Sequence, residues 1–214
     1  MLFGAGKICK STEEETLFQE IKEDIMKVGG KNKMKYREKV VLKNGQDCII
    51  RNATYEDGPE MADLFVLAHS ESDYLLSYPE EHNFDVKCES EFLQKRAESD
   101  NEVMLLAVVN DKTVATAGIS AVGNKYKVRH RAEFGIDVIK EYWGLGIGKS
   151  IMKACVQCAR NAGYKQLELE AVADNKRAIN MYQSIGFVEF GRNPLGFISR
   201  YSGPQELIYM RLVL

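Results

Sequence analysis

Glycine stands at every second position from 144 to 148, in the run YWGLGIGKS, which passes through Lys149 and Ser150 straight into an amphipathic stretch. A residue without a Cβ lets a ligand approach the main chain, and the first turn of a helix carries N–H groups with no internal partner and a partial positive charge. Such a turn suits the oxygens of a phosphate or diphosphate. The loop G-x-x-x-x-G-K-[ST] of nucleotide triphosphate-binding proteins matches Gly148, Lys149 and Ser150 but needs glycine at position 143, where Trp143 stands. The dinucleotide pattern G-x-G-x-x-G needs glycine at Lys149 when started at Gly144, and at Ile151 when started at Gly146, so it fails in both registers. Three alternating glycines alone also suit a tight turn with no ligand. Lys149 suits either contact with a phosphate or a solvated place in the first turn, where the helix dipole disfavours a cation with no anion nearby.

The turn needs a strand before it and a helix after it. RHRAEFGIDV (129–138) supplies the strand, with Glu133 an unusual acid near its middle, and Ile147 to Ala162 the helix, with Ile147, Ile151, Cys155, Cys158 and Ala162 on one face and Gly163 as its stop. Ahead of them VMLLAVV (103–109) and TVATAGISAV (113–122), joined by Asn110-Asp111, complete an antiparallel meander. LELEAV (167–172) is a strand, Asn175 to Ile185 a helix stopped by Gly186, and 187–190 and 206–212 are closing strands with a loop from Asn193 to Pro204 between them. Near the start, KVVLKNGQDCIIR places Asn44-Gly45 where a two-residue hairpin turn with positive φ at both positions is expected. Residues 59–70 and 88–99 read as helices, linked by a polar segment through Tyr74, Tyr78 and His82. Leu17, Ile21, Ile25 and Val28 mark a short amphipathic helix that stops at Gly29-Gly30. The expected organisation is thus an extension over residues 1–33 and one domain over 34–214. Its class is α/β (α+β), a mixed, mostly antiparallel central sheet flanked by helices.

A net charge of −2 over 214 residues gives no basic field of the kind that binds nucleic acid. The basic cluster Lys31, Lys33, Lys35, Arg37 and Lys39 reads as a solvated linker. No stretch approaches the roughly 20 apolar residues needed to span a bilayer, and the N-terminus lacks a secretory pattern, so no membrane partner is expected. Five scattered cysteines suit a reducing, cytoplasmic home, and the Cys155-x-x-Cys158 pair reads as helix packing. His69, His82 and His130 stand far apart without ligand spacing, so no metal is expected.

Two motifs together resemble the GCN5-related N-acetyltransferase (GNAT) family. Its cofactor pattern, Gln or Arg, two residues, Gly, one residue, then Gly or Ala, lies over Trp143, Gly144, Leu145, Gly146, Ile147 and Gly148, with tryptophan in place of the usual polar residue. The second lies 27 residues beyond Gly148, in NKRAINMYQSIGF, where Asn175, Ala178, Tyr182, Gly186 and Phe187 stand at the family's offsets. The resemblance covers roughly residues 35 to 214 and implies acetyl-coenzyme A as cosubstrate, no metal, and an amine acceptor. It implies that the backbone of the glycine turn, with Lys149 and Ser150, holds the diphosphate. The acetyl and pantetheine portion is implied to lie along Ile136, Asp137 and Val138, Asn175 and Ala178 to touch the cofactor, and Tyr182 to hold the place of the general acid. Asn175 also suits a helix N-cap, and Tyr182 shares a potential packing face with Ala178, Ile179 and Ile185.

A lysine-like amine is about 99.9% protonated at neutral pH and cannot attack a thioester until a proton leaves. Glu133 is the nominated base. Its plainer alternative is an ion pair with Arg129 or Arg131, which alternation places on the same strand face. Asp73, Glu80, Glu81 and Asp85 offer negative charge near the expected acceptor segment from Tyr55 to Ser99. A binding module for acyl-coenzyme A without turnover and a P-loop nucleotide-binding protein are the other function classes weighed. The acceptor's identity, as small molecule, polyamine or protein amine, and pairing into a homodimer are left open.

Overall fold

The computed structural model describes residues 34–82 and 85–214. The helix expected within residues 1–33 lies outside the described residues.

The domain opens with a hairpin, β1 (Arg37–Val41) and β2 (Asp47–Asn52). Its turn differs from expectation. The Gly45 amide donates to the Leu42 carbonyl, and of the turn residues only Gly45 has positive φ, at 83°. This is a three-residue connection with glycine in the left-handed position, which relieves Asn44 of strain. The primed two-residue turn occurs instead between β3 (Val103–Val109) and β4 (Lys112–Ala121), where Asn110 and Asp111 have φ of 49° and 59°. A helix α1 (Gly58–Glu71) and a helix α2 (Val86–Glu98) lie between β2 and β3. Asp85 caps α2, its carboxylate accepting from the Lys87 amide at 2.8 Å.

After β4 come β5 (Arg131–Val138), α3 (Ile147–Asn161), β6 (Gln166–Val172), α4 (Lys176–Ile185), β7 (Val188–Ser199) and β8 (Gly203–Val213). The eight strands run in the order β1-β2-β3-β4-β5-β6-β8-β7, all neighbours antiparallel except β5 and β6. The sheet is therefore mixed, mostly antiparallel and flanked by helices, as the element order predicts.

The apolar run of β3 is buried on both faces. Val103, Leu105, Ala107 and Val109 join the core under α3, and Leu106 packs with Met61 of α1 and Leu93 of α2. Cys155 and Cys158 are buried among these α3 residues, so the pair is packing, and burial pushes both thiols up. Each wholly buried Leu or Ile here contributes roughly 1.5–3 kcal/mol relative to an exposed one.

The closing hairpin extends through the segment 193–204 that the sequence suggests is a loop. Pro194 and Gly196 break the β pattern, but β7 is an edge strand, where a missing N–H costs no ladder bond. Register shifts between Asn193 and Phe197 absorb both residues. The hairpin tip then docks on the link between α1 and α2: the Ser199 and Ser202 hydroxyls donate to Asp73, and Arg200 pairs with Glu80.

Strands β5 and β6 pair only from Arg131 to Glu133 against Gln166 to Glu168. Beyond Glu133 the two strands separate. The sheet opens there, and that opening positions the site.

Candidate active site

A cleft of about 960 Å3 runs through the opening. Its walls include Glu133 to Val138 of β5, Glu168 to Val172 of β6, the glycine turn, and Asn175, Arg177, Ala178, Met181 and Tyr182 at α4.

The three glycines serve two physical purposes. Gly144 and Gly146 have φ of 80° and 98°, and a Cβ on either would meet nothing within 4 Å, so their faces are open as well as left-handed. Gly148 is helical, and a Cβ there would stand 2.8 Å from the Met181 sulfur, so it lets α3 and α4 approach. The first amide of the segment with a described backbone partner is that of Ser150, donating to the Gly146 carbonyl at 3.1 Å. The amides of residues 144 to 149, Gly144, Leu145, Gly146, Ile147, Gly148 and Lys149, donate to no acceptor among the described residues. Six consecutive donors at a helix N-terminus, with Lys149 and Lys43 also on the cleft wall, fit a diphosphate. The turn is held from behind, since the Lys43 amide donates to the Leu145 carbonyl at 3.1 Å.

Trp143 shows what replaces the family's polar side chain. Its indole N–H donates to the Val138 carbonyl at 2.6 Å, tying the turn to β5. Over its ring, at 3.5 Å, lies the guanidinium of Arg177 from α4. A cation therefore reaches the cradle from another helix. The sequence reading missed Arg177; a second basic residue in the helical turn after the cap Asn175 was the available signal.

Backbone direction divides β5. Ile139 donates to the Val114 carbonyl and Arg131 accepts from the Val122 amide, so odd-numbered residues between them direct their main chain to β4 and even-numbered ones towards β6. Ile136 and Val138 thus aim main-chain groups at the opening, whereas Asp137 offers it only a side chain. That carboxyl is pushed up to about 6 by desolvation.

Tyr182 is buried, packed edge-on against Phe134 with 6.4 Å between ring centroids. It belongs to the packed face of α4 and also lines the cleft, and its hydroxyl has no hydrogen-bond partner among the described residues. Burial, then the nearby Asp137 charge, hold the phenol above its ordinary range, so it keeps its proton. The Asn175 side chain caps α4, accepting from the Ala178 amide at 3.2 Å.

Glu133 lines the cleft and makes no ion pair or hydrogen bond among the described residues. The candidate partners are engaged elsewhere. Arg131 grips Glu168 with two bonds of 2.5 and 2.6 Å, which holds the Glu168 carboxyl below its usual range, and Arg129 stacks on Tyr126. The four acids singled out near the acceptor segment are spent in structure: Asp73 on the serines, Glu80 on Arg200, Glu81 on the Tyr78 amide, and Asp85 as the α2 cap. Negative charge at the cleft comes instead from Glu133, Asp137 and Glu170, on the sheet face where Glu168 is already neutralised by Arg131. No group of three or more metal-ligating side chains occurs among the described residues, and none of their helices is long and apolar enough to cross a membrane.

This splayed mixed sheet, with unclaimed amides at a helix N-terminus beside it, is the fold of known acetyltransferases, and the family model for acetyltransferases of the GNAT family matches residues 62–187. The chain belongs to the GNAT acetyltransferase family, whose members carry out acetyl-coenzyme A-dependent acetyl transfer. It is similar to human N-acetyltransferase 8B, 30% identical over 89 residues, which cover 41% of this chain and 39% of that protein. The match thus spans about two fifths of that relative's length. Among solved structures it resembles a GNAT-family acetyltransferase from Streptococcus pneumoniae, with a TM-score of 0.75, 26% identity, and coverage of 78% of this chain and 99% of that one. It shares the fold of yncA from Salmonella typhimurium, described with its cofactor acetyl-CoA, with a TM-score of 0.69, 17% identity, and coverage of 78% and 94%.

Proposed function

We propose that the protein transfers the acetyl group of acetyl-coenzyme A directly to a primary amine, with no covalent enzyme intermediate. The observation that carries this reading is the row of six unclaimed amides from Gly144 to Lys149 opening on a cleft that also holds Glu133 and Tyr182. When bound, the cofactor supplies an activated acetyl group as a thioester. The turn residues Gly144 to Ser150, with Trp143 bracing them, would hold its diphosphate; Ile136, Asp137 and Val138 would line the acetyl and pantetheine path, Asn175 and Ala178 would frame it, and Tyr182 would protonate the departing thiolate. Glu133 takes up the proton that leaves the acceptor amine, directly or by relay, and Tyr182 returns one to the departing thiolate.

Glu133 and Tyr182 favour turnover over a purely regulatory binding module, because a module needs the cradle but neither proton-transfer group. The decisive measurement combines calorimetric titration of acetyl-coenzyme A with thiol release in the presence of a panel of amines. Saturable binding and amine-dependent thiol release are expected; absence of binding overturns the reading.

Glu133→Gln is expected to lower kcat about 10²-fold at neutral pH, the lower end for loss of a general base, while the Kd for acetyl-coenzyme A stays within twofold. Unchanged turnover removes Glu133 from this role. Arg177→Ala is expected to weaken acetyl-coenzyme A about tenfold, in the range of one lost charge-assisted contact, and to flatten the salt dependence of binding. Titrations at two ionic strengths check this.

A further inference from the structure

On one face of β5 stand Glu133, Gly135 and Asp137, facing Ser120, Gly118 and Thr116 of β4. Gly135 puts no side chain between the two acids, and a Cβ built on it would meet nothing within 4 Å. A window of open space therefore separates an outer, exposed carboxylate from an inner one, and all three residues line the cleft. The inner acid is the one beside the splayed part of the strand, flanked by the main-chain groups of Ile136 and Val138 and close enough to Tyr182 for its charge to raise that phenol. Glu133 lies four residues back, roughly 13 Å along the strand. Asp137 makes no hydrogen bond or ion pair among the described residues. Of the groups on other elements, Tyr182 of α4 is near enough to feel the Asp137 charge; the other titratable or charged side chains on the same cleft walls are Glu168 and Glu170 of β6, Lys149 of the cradle, Lys43, His69 of α1, Tyr74, His82, Tyr142, Arg177 and Tyr209.

We propose that Asp137 is a further catalytic residue, the first acceptor of the amine proton, with the acceptor nitrogen seated over Gly135 and Glu133 passing the proton outward to solvent. This rests on the acetyl-transfer reading above. In the step, the ammonium gives one proton to the Asp137 carboxylate and the freed lone pair forms the C–N bond at the thioester carbon. Collapse breaks the C–S bond. The thiolate takes the Tyr182 proton, and the phenolate recovers one from the nitrogen as it becomes an amide. The net product is acetylated amine, free thiol and one proton, which leaves from Asp137 by way of Glu133.

A half-buried acid with no partner among the described residues is a poor structural element, and that separates the two roles. Its folded pKa of about 6 lies above the unfolded value of 3.8. An acid raised in this way withdraws stability as pH climbs from 4 through 6, and the full loss is present above that. Asp137→Asn should therefore raise the melting temperature at pH 8 and leave it nearly unchanged at pH 4. It should also lower kcat about 10²-fold and remove the acidic limb near pH 6 from the kcat/KM profile, while calorimetry shows acetyl-coenzyme A bound as before. In the unliganded wild-type protein, carbon-detected NMR should show the Asp137 carboxyl titrating near 6. Retained turnover with the limb intact, or a variant destabilised at both pH values, overturns the assignment. If acetyl-coenzyme A fails to bind the wild type, the underlying reading falls instead, and the two failures are distinct.

Discussion

Gly146→Val is expected to lower kcat/KM for acetyl-coenzyme A by roughly 10³-fold while leaving the protein folded. Gly146 caps α3 with φ of 98°, a conformation that costs an L-residue about 1–2 kcal/mol and costs a β-branched one most. The open space around its Cβ position means the branch meets no protein atom, so the damage to folding is limited to this strain. Its damage to binding is larger. The methyls would fill the concavity that the amides of residues 144 to 149 face, and several charge-assisted bonds to a diphosphate would be lost together. Each such bond is worth about 1.5–3 kcal/mol, so two or three account for the factor. Thermal melts and titration calorimetry check both parts: a melting point lowered by a few degrees, with acetyl-coenzyme A heat no longer detectable at micromolar protein. Tight binding by the variant would show that the cradle amides are not the anion site. Gly148→Val should behave in the opposite sense, because its Cβ collides with Met181 and the loss begins with packing of α3 on α4.

The cradle was legible because its physics is written in residue types: only glycine gives positive φ and an open approach, and three of them preceded an amphipathic helix. Faces of α3 and α4 were legible for the same reason, since period 3.6 in apolar residues reports burial directly. The extent of the β7–β8 hairpin was not, because Pro194 and Gly196 spoil a β pattern locally and edge position together with register shifts forgives them. Asn44-Gly45 and Asn110-Asp111 carry similar turn signals, and flanking strand register, which is tertiary, decides which becomes the primed turn. Charges were the least legible. Asp73, Glu80, Glu81 and Asp85 looked available in sequence and are consumed by partners up to 129 residues away. Arg131 stands two residues from Glu133 yet bonds to Glu168 across the strand pair, which leaves Glu133 unclaimed. The stacking of Arg177 on Trp143 likewise joins residues whose proximity depends on where α4 docks.

Tyr182→Phe removes one oxygen from a ring already packed against Phe134 and Phe187, so the fold should keep its stability to within about 1 kcal/mol. The hydroxyl has no partner among the described residues to strand when it goes. Chemistry should suffer far more, with kcat down about 10³-fold and the Kd for acetyl-coenzyme A nearly unchanged. A thiolate released in a cleft walled by Phe134, Ile136 and Met181 is poorly solvated. Protonation as the C–S bond breaks removes that charge. Because burial holds the phenol above its usual range, Tyr182 stays protonated through pH 10, so the wild-type profile should show no alkaline limb from this residue. Rapid-quench measurement of the acetyl-transfer step separates this from slow product release. A wild-type rate in the phenylalanine variant would leave Tyr182 as packing alone and assign thiolate protonation to water.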